Sequence, residues 1–62
     1  MDEMIAIKVL DLWSDICIGS WEQNEKSVTL HTLEDDYEHD TIEEAAIDCL
    51  PTIAEWIKNI FK

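Results

Sequence analysis

The chain predicts a small α+β fold: an N-terminal amphipathic helix, a short β-hairpin or single strand, and a C-terminal helix kinked at a proline, all in one acidic domain spanning residues 1–62. Three observations predict it. Apolar residues recur at helical spacing in the first and last segments, β-branched residues alternate with polar ones between them, and one proline interrupts the final periodic run. A three-helix bundle is the alternative.

In residues 2–18, Ile5, Ala6, Val9, Leu10, Leu12, Trp13, Ile16 and Cys17 share one half of a helical wheel, with Glu3, Lys8, Asp11, Ser14 and Asp15 opposite. Met4, Ile7 and Ile18 fall on or beside the polar side and are expected as exposed apolar contacts. Gly19 can end this helix as a left-handed cap. A competing reading stops the helix near Asp15 and makes residues 16–22 a strand, EQNEK a turn and SVTLHTL the returning strand. The second strand is the better marked, with Val28, Leu30 and Thr32 alternating against Thr29, His31 and Leu33. If the helix reaches Ile18, that strand stands alone and must find its backbone partners elsewhere, as in a second copy of the chain.

In the last segment Asp40 or Thr41 can cap a helix, with Glu43 or Glu44 completing a capping box. Ile42, Ala46, Leu50, Ile53, Ile57 and Ile60 then form an apolar stripe. Pro51 lacks a backbone donor and disfavours helical geometry at Leu50, which predicts a kink or a junction of two helices. Acids near the start and Lys58 and Lys62 near the end suit the helix dipole.

Fifteen acids against four lysines leave a formal charge of −11. That sign opposes direct binding of nucleic acid or an anionic membrane and favours a basic protein surface. A chain of 62 residues buries only about 60% of its unfolded surface, so self-association or a partner is expected to help it. The 47% hydrophobic content is too high for a disordered acidic tail. The acidic lead-in MDEMIAIKVL and the lack of an apolar run near the roughly 20 residues of a membrane helix predict a cytoplasmic protein. Cys17 and Cys49 are then expected as reduced, buried thiols.

No enzyme is expected. Pockets for small molecules run to about 300 Å³ or more, which so small a core does not readily enclose. Cys17 with His31 or His39 is the only nucleophile and base pairing of suitable types, and one glycine cannot make a phosphate-cradling loop. Asp36, Glu38, Asp40 and Glu44 match positions of a calcium loop, but Thr41 replaces its glycine and Ile47 its bidentate glutamate, so neither metal nor cofactor is expected.

The densest feature is LEDDYEHDTIEE, residues 33–44, with seven carboxylates and no lysine. Asp40, Glu43 and Glu44 sit where a helix N-terminus favours negative charge. Glu34, Asp35, Asp36 and Glu38 precede it and repel one another, so they form either a solvated connection or a docking surface. Extended, the stretch would carry a charge every 5 Å or so, against about 3.4 Å along one DNA strand. Trp13 and Trp56 fit the helix cores, whereas Trp21 either closes the core or anchors a partner.

These residues predict a non-enzymatic acidic regulatory or inhibitory protein that docks on a basic protein surface, in its most concrete form occluding a nucleic-acid-binding site. Glu34, Asp35, Asp36, Glu38 and Asp40 would steer it, and Trp21 and Tyr37 would supply contact area. The alternative is a small structural homodimerisation module using its apolar helix faces.

Overall fold

The computed structural model describes residues 1–17 and 19–61. Asp2 begins helix α1 (Glu3–Ile16), its carboxylate accepting the Met4 N–H at 2.8 Å. The helix closes with the Cys17 N–H still bonded to the Trp13 carbonyl, while Cys17 itself is already extended. Ile18, expected at the helix end and as an exposed contact, lies outside the described residues, as does Lys62.

Gly19 does not act as a left-handed cap, for no glycine here has positive φ. Space dictates it instead. A β-carbon there would sit 2.7 Å from the His31 carbonyl oxygen and 3.0 Å from the Trp13 ring, because the chain turns straight from the helix into the sheet.

That sheet is an antiparallel meander of β1 (Ser20–Gln23), β2 (Val28–His31) and β3 (Asp36–His39), in spatial order β1-β2-β3. The β1–β2 pairing of the hairpin reading therefore holds, although Ile16 stays helical, the first strand begins only at Ser20 and a third strand was not expected; β2 is paired on both sides within one chain, and the three-helix bundle is excluded. Asn24 holds the first turn, its N–H donating to the Ser27 carbonyl at 2.7 Å and its amide to the Thr29 hydroxyl at 2.9 Å. Thr32 builds the second. Its hydroxyl accepts from the N–H groups of Glu34 and Asp35 and donates to the Asp35 carbonyl.

Thr41 caps α2 (Ile42–Ile60), its hydroxyl accepting the Glu44 N–H at 3.1 Å. The helix runs through Pro51 as one element rather than two. Pro51 has no N–H, so the Ile47 carbonyl lacks its usual helical donor.

Both helices lie on one face of the sheet, α1 over β1 and α2 over β2 and β3. Their N-termini share an end with the β1–β2 turn, where Glu3, Lys26 and Glu43 line one groove. The core joins Ala6, Leu10 and Trp13 of α1 to Val28 and Leu30 of β2 and to Ile42, Ala45, Ala46, Cys49 and Ile53 of α2. Fully burying a side chain such as Leu10 contributes about 1.5–3 kcal/mol.

The helical stripes are shifted from their expected positions. On α1, Ile7 packs against the core while Ile5 and Leu12 are exposed, because the helix rests against β1 on one flank and α2 on the other. On α2, Leu50, Trp56, Ile57 and Ile60 are exposed rather than core. At about 1.5 Å per residue α2 outruns the shorter α1, whose last residues sit beside Pro51 and Trp56, so the stripe continues past anything that could cover it. Among the described residues no helix is long and apolar enough to cross a membrane.

Candidate functional site: the acidic face of the sheet

Val28 and Leu30 of β2 face the helices, so Thr29 and His31 emerge on the other side. Register extends that side outward. Ser20 and Asp36 flank His31, and Glu22 and Glu38 flank Thr29, which makes an open face with carboxylates on both outer strands. With strands about 4.8 Å apart, the single β1 acid, Glu22, stands roughly 10 Å from the row of Asp36 and Glu38 on β3. Of the described lysines, Lys8 and Lys58 are on helices and Lys26 is in the β1–β2 turn, leaving the strands without one.

His31 is the centre of this face. Its Nδ1 lies 2.9 Å from Asp36 Oδ1 and its Nε2 lies 3.3 Å from Glu22 Oε2. Two acceptors require two donors, and only the imidazolium has both. The hydrogen bonds to Asp36 and then to Glu22 accordingly raise the His31 pKa above its ordinary value.

The residues anticipated from the sequence are only partly brought together. Asp36 and Glu38 are on the acidic face, and Glu34 and Asp35 stand at the β2–β3 turn beside it. Asp40 is at the far end of β3, next to the Thr41 cap and the groove containing Lys26. Trp21 and Tyr37 pair with Leu30 from either side and therefore belong to the helix-facing side of the sheet. Trp21 is half-buried against the core, its ring N–H donating to Asp11 at 3.2 Å, so it closes the core edge. Tyr37 stays 47% exposed. It lines a groove with Trp13, Leu33 and Glu34.

Glu22 is not marked by the sequence, and His31 is marked there only as a base for Cys17. The signal lay in the alternation of β2, but it could be used only with β3 identified. Residues 36–39 read as an acidic connection because Asp and Glu are poor strand formers; tertiary pairing with β2 overrides that preference.

Cys17 and the two histidines are not assembled for thiol chemistry. His31 is on the outer face, Cys17 packs on the core, and His39 lies at the other end of β3, with Nε2 3.3 Å from Asp48 Oδ2. Even at that distance Nε2 makes no hydrogen bond. Both cysteines are free. Burial, chiefly, pushes the Cys49 thiol up to about 12, which makes it unreactive. The calcium-like positions are spread over the β3 outer face, the cap and α2, and among the described residues no His, Cys, Asp or Glu cluster suits a metal ion. No protein-family model matches the chain, and neither curated proteins nor solved structures give a significant match.

Proposed function

We propose that the protein is a non-enzymatic regulatory or inhibitory module that docks its acidic sheet face on a basic surface of another protein. The observation that carries this reading is the open sheet face on which Glu22 of β1 and Asp36 and Glu38 of β3 stand about 10 Å apart, with no lysine on the strands and with His31 bridging Glu22 and Asp36. A sheet fixes charge where a loop would not, so a complementary array of lysines or arginines meets preorganised acceptors. Its most specific form is occlusion of a nucleic-acid-binding surface, since such surfaces present cations in rows. Two free cysteines suit a reducing, cytoplasmic setting.

Charges on outer strands also prevent edge-to-edge pairing of sheets, and that role needs no partner. The two roles separate experimentally. Glu22→Gln with Glu38→Gln removes two charges from the face, while Asp15→Asn with Glu55→Gln removes two from the helices. Docking predicts that only the first pair loses the basic protein captured from native lysate at low salt, and loses most of its salt-dependent association rate. Equal effects from both pairs would reduce the acids to net charge and contradict the proposal.

A further inference from the structure

The helix layer is apolar on two sides. Asp48 of α2 approaches His39, and Thr52 lines a groove with Tyr37, so that flank of α2 faces the sheet. On the opposite flank of the buried arc are Ile47, Leu50, Ala54, Ile57 and Phe61, all exposed, with Ile47 at 54% and Phe61 at 83%. Their 3-4-3-4 spacing is the seam of a helix that packs along another helix. On α1, Asp11 reaches Trp21 on the sheet side, and Ile5 and Leu12 emerge on the other. Both flanks belong to the side of the helix layer turned away from the sheet.

We infer that this surface is covered by a second copy of the chain, in a two-fold dimer with helix layers inside and acidic sheets outside. Area supports that occupant. The large apolar side chains of the surface are each 39% to 83% exposed, on the order of several hundred Å² per chain, the scale of the roughly 800 Å² each partner contributes to a stable interface. Shape supports it too. The molecule measures 14 Å along its shortest axis, one sheet and one helix layer, so the helices have cover on one side only. Ala54, the small residue in the stripe, lets a neighbouring helix approach at its middle.

Two chains of formal charge −11 repel, and Asp11, Asp15, Glu43, Asp48 and Glu55 as well as Lys8 and Lys58 stand within a turn of the stripe, so the apolar face supplies the attraction. Back-to-back packing also holds the two acidic sheets as far apart as the dimer allows. It rests on the apolar face alone and stands whether or not the acidic face docks a partner.

Light scattering and sedimentation equilibrium on the full chain, from micromolar to near-millimolar concentration, test the inference. The expected mass is twice 7.2 kDa, with association strengthened by added salt. Ile47→Lys and, separately, Ile5→Lys should raise the dimer dissociation constant at least about tenfold while helical circular dichroism is retained. Leu33→Lys, equally apolar but outside this surface, should leave the dimer intact. Should Ile47→Lys lose its helical signal, Ile5→Lys carries the test alone. A wild-type chain monomeric throughout, or a folded Ile5→Lys variant that dimerises like wild type, overturns the inference.

Discussion

His31 and Asp36 face each other across the β2–β3 register, Nδ1 to Oδ1 at 2.9 Å, while the opposite ring nitrogen of His31 points to Glu22 on β1. When protonated, this one ring ties all three strands together on the acidic face. Because both carboxylates favour the proton, the folded-state pKa of His31 is raised above 6.5. Its stabilisation is fully present below the unfolded value and fades as pH rises through the folded one. Thermal midpoints should therefore drop as pH rises above the ordinary histidine value of 6.5, and His31→Asn should remove most of that drop. An unchanged slope in the variant would show that another group titrates.

Gly19→Ala should destabilise by about 1–3 kcal/mol in urea unfolding, since the new methyl meets the His31 carbonyl, which is fixed backbone, and the buried Trp13 ring. The cause is crowding, not φ. A tolerated alanine would mean that the α1–β1 connection can open without cost.

Leu10→Ala should cost about 2–5 kcal/mol, and Ile57→Ala clearly less, because Leu10 has no exposure and Ile57 retains 42%. Chemical denaturation in an Ile47→Lys background keeps the comparison free of self-association. Equal losses would place Ile57 in the core, as its sequence spacing suggests.

Eleven excess negative charges on so small a chain repel, and screening should relieve them. The thermal midpoint should rise with sodium chloride by a few degrees. Converting Glu34, Asp35 and Glu38 to amides should leave stability unchanged or slightly higher, because none of the three caps a helix or holds His31. A lower midpoint in the amide variant would reveal a stabilising partner for one of them.

Much of the fold was legible, because both helices announce themselves by periodicity and the second also by Thr41, a side chain suited to an N-cap. The alternation of Val28 and Leu30 equally marked β2. What was not legible depends on contacts distant in sequence. Strand β3 forms from residues of low strand propensity because β2 offers it a partner and Thr32 folds the turn between them. The limits of the α2 stripe depend on where α1 ends, which the α2 sequence does not contain. The site was half visible for the same reason: Asp36 and Glu38 were flagged by charge density, whereas Glu22 and His31 join them only through register.

Backbone amide shifts of the isotopically labelled protein during titration with a lysine- and arginine-rich protein domain test the docking account most directly. Docking on the sheet face predicts that perturbations concentrate on residues 20–23, 28–31 and 36–39, weaken with salt, and disappear in the Glu22→Gln, Glu38→Gln variant. Perturbations centred on α1 and α2, or spread evenly over the surface, would contradict it.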